Sequence, residues 1–353
     1  MTTGSAQPII VNVLTGFLGA GKTTLLNGLL SQPDLSDVAV IINEFGSIGL
    51  DHLLVETIEE DTVLLQSGCI CCTIRGDLKQ AILSLFEKRK VGRIAPFTRL
   101  IIETTGLADP APIVATLTAD LMLKYHFSIG NIITVVDVPN GRRNIDTYVE
   151  SARQVAVADR LVITKTDIAG PEATSALIAT LSAMNPMASI EISDPTNAAG
   201  SLLITEDIHD LAARPRDVRR WIAAERYHDH AHTPVENVNV HGAIRAVSIT
   251  TPNAVSWPRF STWLSLLVNR HGNRLLRVKG IIAIEGHDTP VVIHGVQHLI
   301  HRPVHLAQWP GNERGCVLVF IIDGDIGDIP QSFTAFVDAQ SNAQAAHLHQ
   351  ERR

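Results

Sequence analysis

The first half of the chain alternates short apolar, β-branched runs with segments of helical spacing. Residues 9–14, 38–43, 61–66, 99–103, 131–137, 160–164 and 188–192 have the length and composition of buried strands. Between them, 22–31, 75–90, 110–123, 147–157 and 172–184 read as helices. This alternation predicts an α/β fold, a mainly parallel sheet with helices on both faces. In such a sheet the loops at the carboxyl ends of the strands form the binding crevice. The pattern weakens over 196–238, where Pro, Gly, Asp and Arg interrupt short apolar runs, and a linker is expected there. A second pattern then begins: a strand (239–250), a helix (257–271), strands (274–285, 289–296, 315–322) and a helix (331–340). Strands broken by single helices predict a smaller α+β domain. The expected division is therefore 1–195, a linker 196–238, and 239–353 with a polar tail.

The turn after the first strand changes the picture from fold to chemistry. Residues 16–24 read Gly-Phe-Leu-Gly-Ala-Gly-Lys-Thr-Thr, a complete G-x-x-x-x-G-K-[ST] phosphate-binding loop between a strand and a helix. Its candidate nucleotide-binding residues are Gly16, Leu18, Gly19, Ala20, Gly21, Lys22, Thr23 and Thr24. Glycines let successive N–H groups turn inward around phosphates, and the helix N-terminus adds partial positive charge. Lys22 is expected to reach the β- and γ-phosphates, and the Thr23 hydroxyl to ligate Mg²⁺. Glu103 closes the strand 99–103 and begins Glu-Thr-Thr-Gly, a place from which a carboxylate holds Mg²⁺ directly or through water. Residues 164–167 read Thr-Lys-Thr-Asp after another strand. There Asp167 can accept a pair of guanine N–H groups, the Lys165 stem can cover the base, and Thr164 opens the loop. Adenine lacks that donor pair, so the expected nucleotide is GTP.

Composition then narrows the class. Apolar residues make up 45% of the 353, enough for a substantial core and too many for a disordered chain. Twenty-nine basic against 36 acidic residues give a net charge of −7, which offers nucleic acid or an anionic membrane no general attraction. No apolar run approaches the length of a membrane helix. The first apolar run already feeds the phosphate loop, so a cytoplasmic protein is expected.

Three of the four cysteines fall within four residues, Cys69, Cys71 and Cys72. Thiols so clustered in a cytosolic chain point to a metal or to redox chemistry, not to a disulfide framework. Thiolates are zinc's strongest partners, and the C-x-C spacing lets two of them reach one ion. Glu44 and His52 are candidates for a further ligand because they follow the second strand. Fewer than four fixed protein ligands leave such a site exchangeable, which suits delivery. Cys316 sits alone in an apolar strand and is expected to be a buried small hydrophobe. Thirteen of the 15 histidines follow residue 200. The densest group, His228, His230 and His232, is a candidate secondary zinc site, with a solvated linker run as the competing reading.

Taken together these residues resemble the CobW-type metallochaperone GTPases of the SIMIBI class of P-loop NTPases. The likeness is carried by 16–24, Asn43-Glu44-Phe45-Gly46, Gly68-Cys69-Ile70-Cys71-Cys72, Glu103–Gly106, Thr164–Asp167 and a C-terminal segment. That segment includes 275–280, 294–299 and Trp309-Pro310. The resemblance implies GTP hydrolysis coupled to transition-metal handling. It also implies cargo metal at the cysteine motif near switch elements, and a C-terminal domain that helps choose a client metalloprotein. A homo-oligomer stays open. So do cobalt or iron as cargo, for cobalamin synthesis or a nitrile-hydratase-like enzyme, and a zinc storage or sensing module. Two positions depart from the family pattern: Thr164 where Asn is common, and Ser67 where Asn is usual. The first forgoes an amide that steadies the loop, so altered nucleotide affinity is expected.

Overall fold

The computed structural model describes residues 8–32, 35, 37–44, 63–66, 74–193, 244–310 and 314–337, without side-chain detail at 43–44, 63–66 and 74–77. The described residues form two compact units, 8–182 with 188–193, and 183–187 with 244–337.

The first unit is built on seven strands: β1 (Ile9–Gly16), β2 (Val38–Glu44), β3 (Val63–Gln66), β4 (Arg99–Thr104), β5 (Phe127–Asp137), β6 (Arg160–Thr164) and β7 (Ser189–Ile192). They lie in the order β3-β2-β4-β1-β5-β6-β7, and every pairing among them is parallel. A parallel sheet covered on both faces favours long apolar runs, interrupted in β1 and β5 by buried polar residues such as Asn12 and Asn131. The chain leaves central β1 in one direction toward β2 and β3, and later continues past it to β5. The crevice therefore opens at the carboxyl end of β1, between β4 and β5.

Helices α1 (Lys22–Leu30), α2 (Ile74–Lys90), α3 (Ala111–Ala119), α4 (Leu121–His126), α5 (Val138–Thr147), α6 (Val149–Val157) and α7 (Thr166–Met184) connect these strands. Leu26 and Leu29 of α1 pack with Leu14, Ile101, Ile133 and Val162 from four strands of the sheet. Asn12 is a buried polar residue in β1, placed where the β1–β5 register shifts between Val11 and Val13. Its Oδ1 accepts the Asn131 N–H at 2.8 Å, which gives the irregular stretch of β5 a partner.

Three sequence expectations need correction here. The helix expected over 110–123 is two helices, because Asp120 adopts an extended conformation and caps the second. Its carboxylate accepts the N–H groups of Met122 and Leu123 at 3.0 and 3.1 Å. The Lys79 ammonium, 2.5 Å away, and the Leu123 N–H hold this carboxyl below the usual carboxylate range. Helix α5 occupies 138–147, most of which the sequence reading assigned to no element. Proline is accommodated in a first helical turn, and Gly141 permits close packing: a Cβ there would sit 2.7 Å from Val136 Cγ1. The helix expected from 172 begins at Thr166 and kinks at Gly170, so Asp167 occupies its first turn.

The second unit carries β8 (Ile244–Thr251), β9 (Leu275–Ile282), β10 (Val291–Val296), β11 (Leu299–Ile300), β12 (Val304–His305) and β13 (Cys316–Asp323). Their order is β11-β10-β9-β13-β8, with β12 pairing β10, and all pairings are antiparallel. Helices α8 (Trp257–His271) and α9 (Ile329–Phe336) supply Phe260, Trp263 and Phe333 to a core shared with Phe320. Trp263 meets Phe333 and Phe320 edge-on at 5.1 and 5.9 Å, and its indole N–H donates to Ser332 Oγ. The last helix starts earlier than expected, at Ile329, capped by Asp328, whose carboxylate accepts the Gln331 N–H at 2.8 Å, with Pro330 in the first turn. Met187, Ile281, Val292, Leu306 and Val319 form a second apolar cluster. Cys316 is fully buried, as expected of an inert thiol. No helix among the described residues is long and apolar enough to cross a membrane.

Candidate functional site

The loop after β1 runs into α1 through Gly21, which stands at the N-cap in a left-handed conformation. No side chain caps this helix, and no acid lies in its first turn. With no capping side chain from its N-cap residue, the start of this helix offers N–H donors of the kind an anion needs. Lys22 extends back over the loop, its Nζ donating to the carbonyls of Gly16 and Phe17 at 3.0 and 3.3 Å. The Thr23 hydroxyl donates to Glu103 Oε1 at 3.0 Å, joining α1 to the end of β4 across 80 residues of sequence. A threonine hydroxyl and a buried carboxylate beside uncapped helix N–H groups suit a nucleotide phosphate with its Mg²⁺.

The turn after β4 presses directly on the phosphate loop. A Cβ at Gly106 would meet the Leu18 backbone N at 2.6 Å, so only glycine permits this approach. Leu18 and Leu107 stand 58% and 51% exposed beside it. Phe17 stacks on Tyr148 with ring centroids 4.6 Å apart, linking the loop to the junction of α5 and α6.

The opposite wall comes from β6. Thr164 donates its hydroxyl to the Ala20 carbonyl at 2.6 Å. The chain thus retains a tether to the phosphate loop at the position where the family amide is missing. Lys165 takes a left-handed backbone conformation, φ 57°, and its Nζ donates to the Gly19 carbonyl at 2.6 Å. The same Nζ lies 3.3 Å from Oδ2 of Asp137, a carboxylate 2% exposed at the end of β5. Asn140 Nδ2 donates to that oxygen at 2.8 Å. Asp167 is exposed in the first turn of α7.

The phosphate loop, Glu103 and 164–167 thus gather at one end of the sheet. Glu44 ends β2 at this same end, opposite Gln66 of β3, and its side chain lies outside the described residues. Cys69, Cys71, Cys72, His52, His228, His230 and His232 also lie outside them, as does 196–238. Among the described residues no group of three or more His, Cys, Asp or Glu is arranged to hold a metal ion. The sequence places Asp137, like Glu103, at the carboxyl end of a strand and so at the crevice, but gives it no role; Asn140, the Phe17–Tyr148 stack and the buried Gln154 were missed. No local motif marks any of them.

A parallel sheet with a phosphate loop at its central strand, joined to a second unit with an antiparallel sheet, is a SIMIBI-type P-loop NTPase architecture. Residues 10–191 match the CobW/HypB/UreG nucleotide-binding domain, and 244–337 match the cobalamin synthesis protein cobW C-terminal domain. The zinc chaperone YjiA of Escherichia coli is 32% identical over 83% of this chain and 87% of its own. The zinc-regulated GTPase metalloprotein activator 1 of Schizosaccharomyces pombe is 37% identical over 52% of this chain and 45% of its own. A crystal structure of Zn(II)-bound YjiA GTPase from E. coli superposes with a TM-score of 0.66 at 25% identity, covering 94% of this chain and 99% of that one. The chain belongs to the CobW/HypB/UreG family.

Proposed function

We propose that this protein is a GTP-hydrolysing metallochaperone that carries zinc to a client metalloprotein in the cytoplasm. The observation that carries the reading is the 3.0 Å bond from Thr23 to Glu103, which brings two oxygen ligands for Mg²⁺ to the mouth of an uncapped helix. Lys22 exchanges the carbonyls of Gly16 and Phe17 for the β- and γ-phosphates. The N–H groups of the loop and of Thr23 and Thr24 surround the phosphate oxygens. Thr23 and Glu103 would hold Mg²⁺, which would supply positive charge against that developing on the γ-phosphoryl group. Asp167 accepts from the guanine edge, and the Lys165 stem lies on the base, its amine held by Gly19 and Asp137.

The cargo ligands are the thiolates of Cys69, Cys71 and Cys72 with Glu44, and His228, His230 and His232 serve as a secondary site on the 196–238 linker. Two facts support the thiolate assignment: β2 and β3 both end on the crevice side of the sheet, and similar proteins bear names as zinc chaperones. Loops that close on the γ-phosphate gather the thiolates, and hydrolysis releases them. The coupling exists only if zinc binds the two nucleotide states unequally.

The test is a zinc titration of the full chain with a non-hydrolysable GTP analogue and with GDP, in wild type and Cys71→Ala. Tighter zinc binding in the GTP-like state, lost in Cys71→Ala, is expected. Equal affinities in both states would end the proposal. GTP turnover that persists in Lys22→Ala would remove the site assignment.

A further inference from the structure

One buried polar side chain beside the site has no task in that scheme. Gln154 of α6 is 1% exposed, among helix neighbours Ala152, Val155 and Ala156 that are apolar and buried. An amide buried in such company is costly unless its donors are matched. Its Nε2 donates to two carbonyls of the turn after β4, Gly106 at 3.1 Å and Ala108 at 2.9 Å. The backbone of Gln154 is anchored in turn, its carbonyl accepting the Thr134 hydroxyl of β5 at 2.8 Å. A neutral side chain with two N–H groups on one nitrogen can clamp two carbonyls at once, and among neutral side chains only Gln and Asn carry one.

The clamped turn follows directly on β4, whose Glu103 is bonded to Thr23, and presses Gly106 against the Leu18 backbone. Its location relative to the phosphate loop therefore depends in part on α6, which holds it through Gln154. The base end of the cleft is held by other bonds, those of Thr164 and Lys165 to the carbonyls of Ala20 and Gly19.

We propose that Gln154 is a positioning residue for the γ-phosphate side of the site. It fixes the 105–108 turn at the distance from the phosphate loop at which a third phosphate is engaged. Loss of the clamp therefore weakens GTP binding and turnover and spares GDP. The inference rests on the reading of Lys22, Thr23 and Glu103 as a GTP·Mg²⁺ site.

The experiment compares wild type with Gln154→Met, which keeps the side-chain length without the amide. Gln154→Asn, which keeps the amide and loses its reach, is the second variant. Affinities for fluorescent GDP and for a non-hydrolysable GTP analogue are measured on the full chain, together with kcat. The expected result in both variants is about tenfold weaker binding of the analogue, the equivalent of about 1.4 kcal/mol. A lower kcat and a GDP affinity within about twofold of wild type accompany it. Equal losses for GDP and analogue, including failure of both variants to bind either, would reduce Gln154 to a structural residue and overturn the inference. So would unchanged affinities for both. A wild type that neither binds nor hydrolyses GTP would instead sink the underlying reading.

Discussion

Asp137→Asn probes the base end of the cleft. The change removes a negative charge and nearly preserves shape. Asp137 Oδ2 lies 3.3 Å from Lys165 Nζ, and at an effective dielectric of about 20 that separation corresponds to a gross attraction of about 5 kcal/mol. Lys165 is 34% exposed and keeps its bond to the Gly19 carbonyl, so water and that carbonyl absorb most of the loss. The net effect expected is about 1–2 kcal/mol, or about 5- to 30-fold weaker nucleotide binding. Because the Lys165 stem is assigned to the base, which GDP and GTP share, the loss should fall equally on both. Titration with fluorescent GDP and with a GTP analogue reads this directly, and Lys165→Met should show a similar equal loss. Affinities within twofold of wild type, or a loss confined to the triphosphate, would refute the assignment of Asp137 to Lys165 and of Lys165 to the base.

Three further outcomes follow from the geometry. Thr164→Val removes the hydroxyl that meets the Ala20 carbonyl at 2.6 Å and should cost about 1–3 kcal/mol in denaturant unfolding of the first unit; an unchanged midpoint would show that the tether contributes nothing. Gly141→Ala drives a methyl to within 2.7 Å of Val136 and 3.3 Å of Leu177. Such overpacking should cost about 1–3 kcal/mol, read as a lower Tm, while an equal or higher Tm would mean that α5 shifts freely. His271 at the end of α8 is held below its usual range, first by burial and then by Arg270 and Arg274. The unfolded chain therefore binds more protons just below the ordinary imidazole value of 6.5, and stability should rise with pH up to that value and be complete above it. His271→Gln should flatten that slope in pH-dependent melting; an unaltered slope would count against the burial argument.

What could be read beforehand divides by physical origin. The parallel strands were legible because burial on both faces makes most of their residues apolar, and the phosphate loop because its chemistry is local. Helix α5 was hidden because Pro139 and Asn140-Gly141 spell a turn when only neighbours along the chain are considered. The glycine answers instead to Val136 and Leu177 in space. The break at Asp120 was hidden because an acid in a helical run announces itself as a cap only once its carboxylate is seen on the next two N–H groups. Within the site, Thr164 lies 144 residues from Ala20 and Gln154 lies 48 from Gly106, and neither pair belongs to a motif. Such contacts are set by the order of strands, which puts β6 and α6 within reach of loops read much earlier in the chain.

The bare beginning of α1 reaches beyond recognition. A helix headed by glycine, with neither a capping side chain nor an acid in its first turn, gives up a few tenths of a kcal/mol that a serine or aspartate at its head would supply. An anion settled there restores what is lacking, so the cellular nucleotide pool becomes part of what keeps the first unit folded. At a hundredfold excess over its dissociation constant, a ligand adds about 2.7 kcal/mol to the folded state. The persistence of this chaperone in a starved cell would then track the supply of its own fuel.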